Sequence, residues 1–159
     1  MTEIADPDLT IRPARPGDED LLLELIHELA VYEKAPEKAV ATPGLINKAL
    51  FGEHPTAEAV IAEWQEQPAG FALFFHNFST WLGKPGLYLE DLFVRESIRG
   101  KGIGKALLLH LAGIARDRDC GRMEWPVLDW NTPAINFYKA LGARPMDGWT
   151  VFRLDSDAL

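Results

Sequence analysis

The sequence predicts an α/β (α+β) fold in which helices flank a mixed, largely antiparallel central sheet. Three observations lead to this prediction: three apolar or alternating segments follow one another in mid-chain, a glycine-rich turn then separates a strand from a helix, and amphipathic helical segments stand on both sides. The chain has 159 residues, and a domain usually holds about 150 residues. Residues 1–159 are therefore expected to form a single domain.

The first third of the chain predicts one strand and two helices. Apolar and polar residues alternate around Leu9, as in a short strand, and a turn with two prolines follows. Acidic residues then precede a stretch whose apolar residues recur at the spacing of one helical face. Thr42 followed by Pro43 is typical of a helix start. The predicted elements are a strand over Leu9–Ile11, a helix from Asp18 to about Lys34, a mobile loop over 35–41 and a short helix over 45–50.

The remaining chain predicts an antiparallel meander, two strand–helix pairs and a last strand. The helix starts are marked by the glycine-rich turn and by the capping sequence Asn131-Thr132-Pro133, and glycines stand where both helices end. The predicted elements are strands over 59–64, 70–75 and 87–94, a helix from Ile103 that ends before Gly121, a strand over 123–128, a helix after Asn131 that Gly142 closes, and a strand over 149–154.

The charge of the chain excludes some partners and favours others. Sixteen Lys and Arg residues stand against 24 Asp and Glu, which gives a formal net charge of −8. Nucleic acid and anionic membranes bind through cationic surfaces, so neither is expected as a partner, whereas a cationic ligand is attracted. The acidic N-terminus is unlike a signal peptide, no apolar run approaches the roughly 20 residues of a membrane span, and the single cysteine fits a reducing compartment. A cytoplasmic location is expected.

The turn from Arg99 to Gly104 is an anion-binding candidate, because it joins a strand to a helix start where backbone N–H groups are unpaired. It is not a mononucleotide P-loop, since Arg99 replaces the first glycine and Ala106 replaces the Ser or Thr after Lys105. It is not a dinucleotide loop, because Lys105 occupies the position of the third small residue. The alternative is that the glycines only relieve steric strain in a turn.

The whole run from Glu90 to Leu107 resembles the acyl-CoA-binding segment of the GCN5-related N-acetyltransferase (GNAT) superfamily. Its pattern Arg/Gln-x-x-Gly-x-Gly/Ala is met by Arg99, Gly102 and Gly104. Further motifs resemble the diamine (spermidine/spermine) and thialysine N-acetyltransferase subfamily, namely Leu87–Asp91, Phe51–Pro55, Trp130–Asn131 and Asn136–Lys139. The resemblance extends from about Ile11 to Leu154. It implies a GNAT-like acyl-CoA N-acyltransferase fold, acetyl-CoA as cosubstrate, no metal, and transfer of an acetyl group to a small cationic amine.

The resemblance also implies roles for individual residues. An aliphatic amine has a pKa near 10, so it needs a base before it attacks, and the departing thiolate needs an acid. Glu90 matches the carboxylate that takes the amine proton, often through water, and Tyr138 matches the phenol that protonates the thiolate. The residues expected to hold acetyl-CoA are Phe93, Val94, Arg99, Gly100, Lys101, Gly102, Ile103, Gly104, Lys105 and Asn131, with the backbone N–H groups around Phe93 and Val94 polarising the thioester carbonyl.

The amine site implied by the resemblance combines aromatic faces and carboxylates, which suit a cation. Its members, besides Glu90, are Tyr32, Glu33, Trp81, Asp91 and Asp147. The polyamine enzymes carry an Asp two residues before the matching Trp, where this chain has Ser79. One carboxylate of the polyamine set is therefore absent, which argues against spermine and spermidine as the best substrates among the polyamines, thialysine and related amines that the resemblance implies, while the net charge still favours a cation.

Other interpretations stand beside these assignments. From helical spacing alone, Tyr138 fits a half-buried aromatic of its helix, and Asn131 needs only its role as a helix cap. An acetyltransferase for a protein or peptide amine would keep the same loop, and a non-catalytic acyl-CoA sensor would lack the acid or the base. The four histidines have no metal-ligand spacing. A homodimer is implied by the subfamily resemblance.

Overall fold

The computed structural model describes residues 6–159 and divides the chain into two units, one up to Pro126 and one from Val127. The N-terminal residues 1–5, part of the segment that argued against a signal peptide, lie outside the described residues. The helices and strands of the first unit are β1 (Leu9–Pro13), α1 (Glu19–Tyr32), α2 (Pro43–Phe51), β2 (Glu58–Trp64), β3 (Gln67–Ser79), β4 (Lys84–Val94), α3 (Ile103–Asp117) and β5 (Arg122–Glu124).

The five strands form one sheet in the order β1-β2-β3-β4-β5. The first four strands are antiparallel neighbours, and β5 pairs with β4 in parallel. The predicted meander and the mixed, largely antiparallel sheet are therefore confirmed. β3 is longer than predicted because the hairpin with β4 continues as far as Ser79, whereas β5 has three residues instead of the predicted span of 123–128.

One face of the sheet is covered by α1 and α2. The shared core contains Leu22 and Leu25 of α1, Ile46 of α2, and Phe71 and Phe93 of the sheet. The predicted helical face of α1 is confirmed, and Thr42 caps α2 as predicted by accepting the N–H of Leu45 at 3.2 Å. The loop predicted to be mobile contains a short 3₁₀ turn over Pro36–Lys38.

An ion pair holds α1 to β1. Arg12 of β1 binds both carboxylate oxygens of Asp18, at 2.8 and 3.0 Å, and the backbone N–H of Arg15 donates to the same carboxylate at 2.8 Å. The hydrogen bond from Arg12 lowers the pKa of Asp18 despite the opposing effect of partial burial. The acidic start of the helix therefore serves tertiary contact as well as the helix dipole.

The other face of the sheet is covered by α3, which contacts β4 and β3. Its residues Ile103, Leu107 and Leu111 are completely or almost completely buried, as their spacing predicts. The helix ends at Asp117, earlier than Gly121, because the backbone leaves the helical conformation at Arg118 and Asp119 has a positive φ of 55°.

β4 contains a bulge at Glu90. Leu73 of β3 lies opposite Asp91 and the next residue, Phe74, lies opposite Leu89, so Glu90 is the extra residue. Residues that lie opposite each other share a face of the sheet. The bulge therefore places Asp91 on the face that α1 and α2 cover, together with Leu73.

The second unit has one α-helix, α4 (Thr132–Ala140), and a 3₁₀ turn over Ser156–Ala158. Asn131 caps α4 as predicted by accepting the N–H of Ala134 at 3.4 Å. The predicted strand over 149–154 is wrong: no residue there pairs with a strand, and Val151 and Phe152 are 88% and 92% exposed. Alternation gives a strand only where a neighbouring strand supplies hydrogen bonds, and this unit contains no other strand.

None of the helices between residues 6 and 159 combines the length and the apolarity that crossing a lipid bilayer requires.

Candidate functional site

The glycine loop between β4 and α3 has a backbone that only glycine adopts easily. Gly100 and Gly102 have φ angles of 85° and 80°, and a Cβ on either residue would meet no atom within 4 Å. The glycines are therefore required by the backbone conformation, and the space beside them is open. Gly102 is the N-cap of α3 and has no side chain to accept the first N–H groups of the helix.

Cationic side chains surround this open helix start. Arg99, Lys101 and Lys105 belong to the loop or to the first turn of α3, and within residues 6–126 none of them forms an ion pair with a carboxylate. Lys101 lies over the ring of Trp64, with Nζ 5.4 Å from the ring centroid. Free N–H groups, open space and unpaired cations fit the pyrophosphate of a nucleotide-containing cosubstrate.

The base of the loop is anchored by Arg95, which the sequence did not single out. Its guanidinium binds Glu24 at 3.0 Å and Glu28 at 3.1 Å, both on α1, and it donates to the carbonyl of Pro68 at 3.3 Å. Its backbone N–H donates to Ala69 of β3 at 2.8 Å. Arg95 therefore fixes the start of the glycine loop to both α1 and β3.

A carboxylate cluster lies near the bulge in β4. Glu33 follows the last residue of α1, Glu90 is exposed at the bulge, and Asp91 is half-buried on the α1 face of the sheet. Burial raises the pKa of Asp91 to about 6, with further contributions from the charges of Glu90 and Glu33. Burial also raises the pKa of Glu33.

The charges of this cluster are not compensated. Within residues 6–126, no ion pair joins Glu33, Glu90 or Asp91 to a lysine or arginine. The negative charges of these carboxylates repel one another, and burial further raises the free energy of the charged forms of Asp91 and Glu33. A cation that enters the cluster would therefore be attracted strongly.

A groove of about 540 Å³ lies between α1 and the glycine loop. Its walls include Glu28 and Tyr32 of α1, Phe93 of β4, and Arg99. The guanidinium of Arg99 lies 4.6 Å from the centroid of the Tyr32 ring and 5.4 Å from that of Phe93. One residue expected to bind the cosubstrate thus contacts one expected to bind the amine.

Trp81, predicted to bind the amine, and Ser79, which replaces the Asp of the polyamine enzymes, lie where β3 turns into β4. Trp81 is 89% exposed, and no ring contact or hydrogen bond joins it to the carboxylate cluster among the described residues. Ser79 is buried, its hydroxyl accepts the N–H of Leu82 at 3.2 Å, and its carbonyl accepts the N–H of Gly83 at 2.8 Å. Ser79 therefore serves the turn.

The remaining predicted residues belong to the second unit. Tyr138 is half-buried on α4, with its ring centroid 5.6 Å from that of Phe137. Asn131 caps the same helix, so its side-chain oxygen is engaged by the backbone. Asp147 is exposed in the chain after α4.

Comparison with known proteins identifies the family. The model of the acetyltransferase (GNAT) family matches residues 22–143. The chain belongs to the GNAT family. This GNAT protein is 36% identical to the thialysine N-epsilon-acetyltransferase of Bos taurus over 94% of each chain. It is 33% identical to the L-ornithine N5-acetyltransferase NATA1 of Arabidopsis thaliana, over 94% of this chain and 85% of the relative.

A solved structure agrees with this assignment. An integron cassette protein from V. cholerae superposes with a TM-score of 0.81 at 29% identity, covering 96% of both chains. The predicted GNAT-like fold is thereby confirmed, and the protein is an N-acetyltransferase of the kind that uses acetyl-CoA as its cosubstrate.

Proposed function

We propose that the protein transfers the acetyl group of acetyl-CoA directly to a primary amine of a small cationic molecule. The observation that carries this proposal is the separation of charge along β4. The uncompensated carboxylates lie at its bulge, and the unpaired cations lie in the loop that follows it. An anionic cosubstrate and a cationic acceptor are each attracted to a different end of the same segment.

The cosubstrate is assigned to the glycine loop. The residues proposed to contact it remain those implied by the family pattern, including Asn131, the N-cap of α4. The positive φ angles of Gly100 and Gly102 support this assignment, since they leave the backbone open on the side of the helix start. When bound, acetyl-CoA supplies the acetyl thioester.

Glu90 is the proposed proton acceptor and Tyr138 the proposed proton donor. Glu90 is exposed at the bulge, so a proton that it takes from the ammonium, directly or through water, passes on to solvent. The Tyr138 hydroxyl provides the proton that the thiolate needs when the bond between sulfur and the acetyl carbon breaks. The ammonium nitrogen loses one proton to Glu90 before it attacks and a second one after the C–N bond has formed. The first proton passes to solvent, and the second replaces the proton that Tyr138 gives to the thiolate.

The acceptor is proposed to be an amino acid or diamine similar to thialysine or ornithine. Glu33 and Asp91 would hold its ammonium groups, and the Tyr32 ring would supply a further cationic contact. Two observations favour this class over long polyamines: the hydroxyl of Ser79 is committed to the turn, and Trp81 is not joined to the cluster. The names of the two relatives support the same class.

The cellular setting follows the same proposal. Three further properties stay predictions: the single-domain organisation, a cytoplasmic location and a homodimer. One observation supports the homodimer. Trp149, Val151 and Phe152 are exposed in a segment that has no strand partner in its own unit. Pairing with a second copy of this chain would cover them, and light scattering of the purified protein measures the mass that decides it.

The proposed function is tested by thiol release from acetyl-CoA with a panel of amines. The panel contains thialysine, ornithine, lysine, putrescine, spermidine, spermine and several peptides. Saturable turnover of thialysine or ornithine is expected, with spermine a poorer acceptor. Preferred turnover of peptides would replace this proposal by a protein acetyltransferase, and acetyl-CoA binding without any turnover would indicate a sensor.

The proton donor is tested by Tyr138→Phe. The variant should lower kcat by about 100-fold and leave the Kd of acetyl-CoA unchanged, because only the hydroxyl is removed. Phe137→Leu, its neighbour on α4, is the control for altered packing of the helix. A normal kcat in Tyr138→Phe would remove Tyr138 from the reaction.

A further inference from the structure

Arg99 occupies a position between the two proposed binding sites. Its guanidinium lies between the rings of Tyr32 and Phe93, and its Nε donates to the carbonyl of Val94 at 3.0 Å. Phe93 is buried, whereas Tyr32 at the end of α1 is exposed on part of its ring. A cation of the protein itself therefore lies over the ring of the partly exposed Tyr32, and both residues line the groove.

Each of these two groups, the Tyr32 ring and the Arg99 guanidinium, is a proposed contact of one substrate. Under the proposed function, the ammonium of the acceptor contacts Tyr32, and the pyrophosphate of the cosubstrate contacts the loop that begins at Arg99. A ring face that already holds a guanidinium is closed to a second cation, and the two positive charges also repel each other. A guanidinium bound to a phosphate oxygen makes a stronger contact than one lying over a ring in water.

We propose, on the basis of the proposed function, that Arg99 is an internal competitor of the amine. With the cosubstrate absent, Arg99 covers the Tyr32 ring and opposes acceptor binding. With the cosubstrate present, its anionic group draws Arg99 from the ring, and the ring becomes available to the acceptor ammonium. Arg99 thus couples the two binding sites through a single side chain.

The coupling has a predictable size and sign. The two substrates strengthen each other's binding, and by linkage each does so by the same factor. Loss of one cation–π contact at an exposed ring corresponds to a factor of roughly 2 to 5, and the repulsion between the two cations increases it. We expect the acceptor to bind about fivefold or more tightly to the protein that holds coenzyme A.

The test is calorimetric titration of the full-length protein with the acceptor that the amine panel ranks first. Titrations are made without nucleotide and at saturating coenzyme A, which lacks the acetyl group and so allows binding without turnover. In Arg99→Gln, the acceptor should bind equally well with and without coenzyme A, because its affinity for the nucleotide-free protein rises. Arg99→Lys, which keeps a cation near the ring, should retain part of the coupling.

Tyr32 provides a second, independent pair of variants. Tyr32→Phe keeps the ring and should keep the coupling factor, whereas Tyr32→Leu removes the ring and should bring the factor to about one. Arg99→Gln with an unchanged factor would overturn the proposal, as would a factor of one in the unaltered protein. Neither of these binding results affects the proposed function, provided that the protein releases thiol with at least one amine of the panel. If no amine of the panel supports thiol release, the proposed function and the coupling are both overturned.

Discussion

The glycine loop follows the strand that carries two members of the carboxylate cluster, Glu90 and Asp91, yet the loop and the cluster are built in opposite ways. The loop exposes backbone N–H groups and cations around Gly100 and Gly102, and its walls are open. The cluster places Asp91 on a covered face of the sheet beside Glu33 and Glu90, where burial opposes the charged form. The loop therefore offers an anion a solvated, positively charged site. In the cluster, a bound cation would reduce the repulsion among the three carboxylates.

This difference has a consequence for how each site responds to substitution. The loop depends on backbone conformation, so a residue without contacts to any ligand can abolish its binding. The cluster depends on charge and desolvation, so its affinity changes with pH. Substitutions in the loop should therefore change the affinity for the cosubstrate, and substitutions in the cluster should change amine binding and its pH dependence.

Gly102→Val should weaken acetyl-CoA binding by about 100-fold or more, because a β-branched residue resists a φ of 80° and the helix start must change shape. Calorimetric titration with acetyl-CoA measures the effect. Gly113→Ala in the interior of α3 is the control and should leave the Kd unchanged, since its added Cβ meets only the far end of a side chain at 4.0 Å. Equal Kd values in all three proteins would show that the loop backbone does not bind the cosubstrate.

Asp91→Asn should raise the KM of the amine by roughly 10- to 100-fold at pH 8, because a charged hydrogen-bond partner of the ammonium is lost. In the unaltered protein, KM should fall as the pH rises through about 6, where Asp91 becomes ionised. Steady-state kinetics between pH 5 and 8 measure both effects. A pH dependence that survives in Asp91→Asn would assign the titration to another group.

Arg95→Gln should raise the Kd of acetyl-CoA several-fold and lower the free energy of unfolding by about 1 to 2 kcal/mol, because two glutamates of α1 lose their partner. Arg118→Gln is a matched control, since Arg118 also binds a glutamate, Glu58, but at an exposed place away from the loop. It should leave the Kd unchanged. Urea unfolding and nucleotide titration report the two quantities, and equal effects in both variants would contradict the role of Arg95 as the anchor of the loop.

Asp91→Asn should also stabilise the fold at pH 8, by about 1 to 2 kcal/mol. The folded protein raises the pKa of Asp91 to about 6 from its usual value of 3.8, so ionisation of this carboxyl lowers the free energy of unfolding. This cost is absent below pH 3.8, grows as the pH rises toward 6, and is constant above it. The free energies of unfolding of the two proteins should therefore differ much more at pH 8 than at pH 4. A difference that is the same at both pH values would point to packing instead of charge.

Much of the fold could be predicted from local sequence. The meander, the buried face of α3 and the caps at Thr42 and Asn131 follow from periodicity and from side chains that accept a nearby N–H. The prediction of a strand over 149–154 was wrong. Alternation indicates only which side chains would share a face of a strand. A strand also needs a neighbouring strand for its backbone hydrogen bonds, and the alternating pattern contains no information about that neighbour.

The candidate site likewise has one part that the sequence could predict and one part that it could not. The glycine loop was predictable because glycine spacing reports directly on positive φ angles and on the helix start that follows. The anchor at Arg95 was not, since its partners Glu24 and Glu28 are far from it in sequence. No local signal distinguishes an arginine that holds a loop from one that is solvated.

The amino-acid sequence was sufficient to predict the strands and helices around the sheet, the anion-binding loop and the acidic character of the chain, because each depends on neighbouring residues or on composition. Three features could be seen only in the folded chain: Glu90 is the extra residue of a bulge, Asp91 is half-buried with a raised pKa, and Arg99 lies over Tyr32. These features depend on strand register and on desolvation. Both arise only when segments distant in sequence pack together.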